Sequence, residues 1–381
     1  MSAPGRPTIP PSRYEERLAR AAAATRTAGL DALLIGVGSD LRYLSGYAAM
    51  PLERLTLLVV PADGAPFLVV PRLELGAAQA GVRPAVDIRT WDETDDPYAL
   101  ATAGLTRTPA VAVSDTMLAM HVLRLQQALG SGARMDLATP VLRDLRMHKD
   151  DDEIALLRLA AQAADRVVAA IAAGPLVGRT EADVAREVRE RLIAEGHEEA
   201  HFAIVGSGPN SASPHHDASE RVIQAGEPIV LDIGGTLDGY GSDITRTLWV
   251  TGGDATKGPD ERFRHLFAVL QAAQEAGTRA VRPGVACAAV DAAARTPIDA
   301  EGYGAAFFHR TGHGIGLDGH EDPYLVNGNE LAMAPGMAFS VEPGIYLPGE
   351  YGARIEDIVV CGQDGAIVLN EAPRSLYVVD G

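Results

Sequence analysis

Leu231–Thr247 reads LDIGGTLDGYGSDITRT, and its two outer aspartates, Asp232 and Asp243, decide how the second half of the chain is understood. They are 11 positions apart, an odd offset, so on one straight strand they would face opposite ways. The stretch between them, GGTLDGYG, is rich in turn residues. A hairpin there folds two strands together and lets both carboxylates face one side.

Working outward, three more acidic or imidazole positions stand in similar surroundings: His313 in HRTGHGIG, Glu342 in FSVEPGIY and Glu356 in ARIEDIVV. Each lies at the end of an apolar run or beside glycines. Singly they are ordinary, since an Asp before Gly-Gly suits a turn and a Glu before Pro-Gly suits a strand end. As a set they are not. Acidic side chains are seldom buried unless paired or bound to metal. Four carboxylates in one place would carry a charge of about −4, untenable in a core without cations to cancel it. Two divalent cations supply about +4, and carboxylates bridging metals roughly 3.5–4 Å apart are the device of two-metal hydrolases. Oxygen-rich donors with one imidazole suit manganese, cobalt, iron or zinc and disfavour copper or iron–sulfur clusters.

The C-terminal part carries an internal repeat. Gly178 and Gly284 each precede a helical pattern, Glu195-Gly196 and Glu301-Gly302 each close one, and Phe202 and Phe308 follow, all 106 residues apart. After the loops the offset becomes 110, which sets Asp232 against Glu342, and then 113, which sets Asp243 against Glu356. Two similar halves, each giving a carboxylate pair, would build one site on a pseudo-twofold axis.

These words resemble the pita-bread metallopeptidases: aminopeptidase P, prolidase, methionine aminopeptidase and creatinase. The resemblance is strong from about Arg146 onward and weaker before it, through DLRYLSGY (Asp40–Tyr47). It implies an α/β (α+β) fold, with a pita-bread catalytic domain over residues 146–381 and a smaller creatinase-type domain over 13–145. Residues 1–12 are read as a disordered tail. It implies that Asp232, Asp243, His313, Glu342 and Glu356 hold two divalent cations, manganese first. Asp243 and Glu356 would bridge them, and Glu342 would also carry a proton. SGPNSASPHH and TGHGIGLDGHE match the family's pattern, which makes His215 and His320 the groups that face the scissile carbonyl; His216 ranks behind His215. His309 would line a proline pocket, and Arg354 would order a bridging carboxylate and the substrate. A loop histidine and a second-layer salt bridge are the structural alternatives.

The large N-terminal part separates the chain from methionine aminopeptidase. An intact ligand set separates it from metal-free creatinase and from relatives that have become binding modules. What remains is cleavage of the bond between a first residue and proline in a peptide, a tertiary amide without an N–H. Several prolidases carry an arginine four residues after the position of His320, to read a dipeptide's carboxylate; here that residue is Tyr324. On that ground an aminopeptidase P-like activity on longer peptides ranks ahead of a dipeptide-only prolidase. Arg54, in PLERLTLLVV, is the substitute reader if dipeptides are the substrate, or else a surface arginine.

Composition bounds the rest. The net charge is −18, which argues against nucleic acid or anionic membranes as partners. Nothing has the length of a membrane span, and the N-terminus lacks the apolar core of a secretory signal, so a cytoplasmic location is expected. Cys287 and Cys361 have no paired spacing and read as buried thiols. The glycines of GHGIGLDG lack the strand–GxGxxG–helix order of a phosphate loop. Relatives of this kind are often homodimers.

Overall fold

The computed structural model describes residues 6–106 and 108–381, which fall into two compact units, one ending at Arg146 and one beginning at Met147. Part of the expected tail, Met1–Gly5, lies outside the described residues. Pro11 and Ser12, also assigned to it, instead open the first helix, α1 (Pro11–Thr27). Proline suits a first helical turn, where its missing N–H has no partner to lose.

The first unit is built on a six-stranded mixed sheet of β1 (Ala32–Ile35), β2 (Leu57–Pro61), β3 (Phe67–Pro71), β4 (Asp87–Trp91), β5 (Ala110–Val113) and β6 (Arg134–Leu137), in the order β4-β3-β2-β1-β5-β6. Helices α2 (Ser39–Ser45), α3 (Leu75–Gly81), α4 (Pro97–Thr102), α5 (Ala119–Leu129) and α6 (Thr139–Met147) accompany it. Four apolar runs, ALLI, LLVVP, FLVVP and AVAV, form the buried centre of the sheet as β1, β2, β3 and β5. The strands with no such run, β4 and β6, are its edges.

The second unit opens with α7 (Asp151–Ala172). Asp150 caps it and Glu153 closes a capping box, so the acids at its start hold free backbone N–H groups as well as favouring the helix dipole. Then come α8 (Glu181–Ala194), β7 (Glu199–Ser207), β8 (Glu227–Leu237) and β9 (Tyr240–Val250). The second half repeats the plan: α9 (Glu261–Ala280), α10 (Cys287–Ala300), then β10 (Gly312–Gly314), β11 (Glu321–Leu325), β12 (Ala338–Val341), β13 (Gly344–Leu347), β14 (Tyr351–Arg354) and β15 (Asp357–Cys361). Short β16 (Ala366–Val368) and β17 (Tyr377–Val379) finish the chain. One sheet runs β17-β9-β8-β7, another runs β11-β10-β12-β15-β16, and β13 and β14 form a separate hairpin. Val168 and Ile171 of α7 pack with Leu231, Ile233 and Ile244 in the first half's core, and Leu157 of the same helix is buried. Cys287 and Cys361 are free and buried. Among the described residues no helix is long and apolar enough to cross a membrane.

Candidate metal centre

The hairpin β8–β9 turns on two residues, Asp238 at φ 51° and Gly239 at φ 86°, between paired Leu237 and Tyr240. Positive φ at both positions, with Asp-Gly, fits the tight turn that matches strand twist. The turn fixes the register. Asp232 lies opposite Thr245, and Asp243 opposite Gly234. Since facing residues share a side and alternate residues share a side, Asp232, Asp243 and Thr245 all point the same way.

The second half builds its share differently. Glu342 follows β12 directly and Glu356 precedes β15 directly, and these strands pair Val341 with Asp357. The two glutamates therefore flank the point where the β13–β14 hairpin leaves and rejoins the sheet. An isolated bridge between Thr245 and Glu356 joins the halves, and Thr245 Oγ1 donates to Glu356 Oε2 at 2.7 Å. His313 is held between Gly312 and Gly314, where a β-carbon would collide with the carbonyls of Ser340 and Asp322 respectively. Its Nδ1 lies 3.1 Å from the Gly314 carbonyl and can only donate to it. That leaves the Nε2 lone pair facing Asp243 Oδ2 at 3.6 Å and Glu342 Oε1 at 3.5 Å.

Donor atoms of Asp243, His313 and Glu356 lie within 4.8 Å of one another. Burial, then the other carboxylates, raises the Asp243 and Glu356 carboxyls well above their usual range. Burial raises Glu342 to about 7 and lowers His313 to about 3. Asp357 makes the contrast. It is equally buried and next in sequence to Glu356, but on the opposite face, where Arg246 meets one oxygen at 2.6 Å and Arg374 meets the other. Asp232 has an ion pair with Arg354 through Oδ2, while its Oδ1 is buried with no hydrogen-bond partner. Arg354 among them and Arg310 at the wall still leave four carboxylates short of positive charge. The donor set, the crowding and the unpartnered oxygen all fit divalent cations.

These residues line a cavity of about 750 Å³ whose rim carries the other expected groups. His215 and His320 both line it, and the His320 ring stacks on His313 with centroids 3.7 Å apart. Arg310 donates from Nη2 to His320 Nδ1 at 3.0 Å, which puts the imidazole proton on Nε2. His309 lines the cavity too. Its Nε2 accepts from Tyr346 at 3.0 Å, and the Tyr346 hydroxyl accepts from Arg354 Nη1 at 2.7 Å. Burial, then the Arg354 charge, lowers His309 to about 4. Arg354 is buried and reaches Asp232, Thr245, Tyr346 and the Pro214 carbonyl, so it meets Glu356 only through Thr245.

Three of the named positions are held by other partners. His216 turns away to Glu181, at 2.7 Å, and is not a lining residue. Tyr324 is not one either; the guanidinium of Arg310 covers its ring at 4.5 Å. Arg54 belongs to the first unit and pairs there with Glu53 and Glu93, each at 2.8 Å. Arg310, Tyr346, Phe202, Ile204 and Phe308 belong to the site or its wall and were not singled out from the sequence for that part. For Tyr346 a signal existed, four residues after Glu342. Arg310 stood between two histidines already chosen.

Residues 155–363 match the model of metallopeptidase family M24, and residues 17–148 match the creatinase/prolidase N-terminal domain. The first match alone covers more than half of the chain. The chain belongs to metallopeptidase family M24. It is thus a peptidase with the pita-bread fold behind a creatinase-type N-terminal domain. Among M24 relatives, the probable dipeptidase PepE of Mycobacterium tuberculosis is 51% identical over 370 residues, covering 96% of each chain. The crystal structure of dipeptidase PepE from Mycobacterium ulcerans superposes with a TM-score of 0.88 at 49% identity, over 98% of this chain and 100% of that one. A prolidase from Thermococcus sibiricus gives 0.89 at 34% identity, over 96% and 99%.

Proposed function

We propose that this protein is a Xaa-Pro dipeptidase holding two divalent cations on Asp232, Asp243, His313, Glu342 and Glu356. The observation that carries the metal reading is the cluster of buried acids without matching positive charge. The dipeptide reading reverses the order expected from Tyr324 alone. The names of the relatives favour dipeptides, and the cavity supplies a cation that Tyr324 does not. Arg310 lines the cavity and lies against the very tyrosine that stands in the usual arginine position. A guanidinium anchored on an aromatic face meets a carboxylate with paired N–H groups.

Cations bound here supply Lewis acidity and an activated water near neutral pH. The chain's own groups do the rest. His320 presents Nε2–H, and His215 stands beside it, to take the charge that develops on the scissile carbonyl oxygen. Glu342 takes the proton of the attacking water and returns it to the proline nitrogen as the C–N bond breaks. His309, Tyr346 and the apolar wall from Phe202, Ile204 and Phe308 receive the pyrrolidine ring and the first side chain. Manganese as the first cation, a cytoplasmic location and a homodimer belong to the same reading.

Chelation followed by removal of free metal is expected to abolish hydrolysis of a Xaa-Pro dipeptide, and Mn²⁺ or Co²⁺ to restore it. Full activity in protein shown by elemental analysis to be metal-free would sink the reading. His215→Ala and His320→Ala are expected to keep parental metal content and lose about 10²–10³-fold in kcat, the usual cost of one oxyanion donor. Parental turnover in either variant would remove that histidine from the carbonyl.

A further inference from the structure

The residues that follow His215 and His320 are each fastened by a buried charge that does not itself line the cavity. His216, following His215, meets Glu181. Glu321, following His320, meets Lys149 at 2.5 Å, with side chains 10% and 1% exposed.

Glu181 is the first residue of α8, and its side chain is fully buried. Its Oε1 accepts from Ser207 N and Oγ, both at 2.7 Å, and from Asn210 Nδ2 at 3.1 Å. Its Oε2 accepts from His216 Nε2 at 2.7 Å, and from Ser219 N at 3.1 Å and Oγ at 2.6 Å. A carboxylate has about four lone-pair directions, so this one is saturated. Although burial pushes it up, these donors hold it down at about 2. The donors span the start, middle and end of the stretch from Ser207 to Ser219 that carries His215. One carboxylate therefore draws the loop into a single shape, with adjacent histidines turned apart.

Lys149 stands just before the cap of α7, its backbone N–H bound to the Gly336 carbonyl at 2.9 Å. It is one of only two lysines in the chain. Its ammonium reaches the loop between β10 and β11, where Gly316 leaves the space that Glu321 and the lysine stem occupy. Neither Glu181 nor Lys149 touches the space a substrate would fill.

We propose that Glu181 and Lys149 are positioning residues, each setting one of the two carbonyl-facing histidines through the side chain next to it. This rests on the roles given above to His215 and His320. Double-mutant cycles on the manganese-loaded enzyme, with a Xaa-Pro dipeptide, test it. Glu181→Gln is expected to lower kcat by about 10–100-fold in the parent and by less than about 3-fold in a His215→Ala background, because coupled residues are not additive. KM and metal content should stay within about twofold. Lys149→Met should behave likewise against His320→Ala, whereas Glu181→Gln with His320→Ala should multiply. His216→Ala, a milder change at a partly exposed side chain, repeats the first cycle should Glu181→Gln fail to fold; Lys149→Met/Glu321→Met does the same for the second. Equal losses in the parent and in the histidine-deleted background, or no loss in the parent, overturns the proposal. Parental turnover in His215→Ala and His320→Ala themselves would overturn the underlying reading instead.

Discussion

Asp243→Ala is expected to abolish peptide hydrolysis, with kcat/KM down by at least about 10³-fold and cation content down from two per chain to one or none. Asp243 is a buried member of the donor trio, with Asp232, Glu342, His313 and Glu356 around it. A carboxylate there would serve either of the two proposed cations, and the two-residue turn fixes the register of the strand that carries it. Glu356→Ala should match it, while His313→Ala, which removes a donor to one cation, should cost less. Loss of activity by unfolding would look different. Removing one of four crowded acids relieves repulsion, so Asp243→Asn should be at least as heat-stable as chelated parent. Elemental analysis beside steady-state kinetics decides: an inactive Asp243→Ala with two cations bound would overturn the bridging role.

Arg310→Met is expected to cut kcat/KM for a Xaa-Pro dipeptide by about 30–1,000-fold and for the matching Xaa-Pro-Xaa tripeptide by much less. Loss of one partner from a buried, hydrogen-bonded charge pair costs about 2–5 kcal/mol; Arg310 is half-buried, which keeps the expected loss to about 2–4 kcal/mol, and each 1.4 kcal/mol is tenfold. A dipeptide brings its carboxylate directly behind the proline ring. In a tripeptide that position is a neutral amide. The parent should therefore prefer the dipeptide and Arg310→Met should lose the preference. Methionine keeps a stem of similar length over Tyr324, so packing is retained while charge is not. Arg54→Ala is the control: if it, and not Arg310→Met, erases the preference, the reader is the N-terminal arginine. Better cleavage of the tripeptide by the parent would restore the aminopeptidase P-like reading.

What could be read beforehand follows from how each feature is encoded. The five acidic and imidazole positions were legible because burying charge is costly and leaves a pattern of acids among glycines and apolar runs. The hairpin was legible because an odd spacing between Asp232 and Asp243 made sense only with a turn, and Asp238-Gly239 supplies it. Four central strands of the first unit were legible as apolar runs, while the edge strands β4 and β6, half exposed and charged, look like loops by composition. The direction of His216 was not legible. Neighbours on a loop lack the fixed alternation of a strand, and its partner Glu181 lies 35 residues earlier. Arg310 was overlooked for a related reason. The family pattern points to the position of Tyr324, while a long side chain from the segment before β10 lays its guanidinium over that tyrosine's ring, a contact that sequence spacing does not reveal.

The bridge between Thr245 and Glu356 marks a seam, with one carboxylate pair on each bank. Without cations, like charges press the banks apart across it. Were the proposed cations bound, the same oxygens would be drawn together. Loading would then reverse the sign of the force along the seam, and anything that binds only the folded chain adds to its stability. Storage in a chelating buffer would do more than switch the peptidase off: it would prise at the join between the repeats, making that join the first place for heat or a protease to enter.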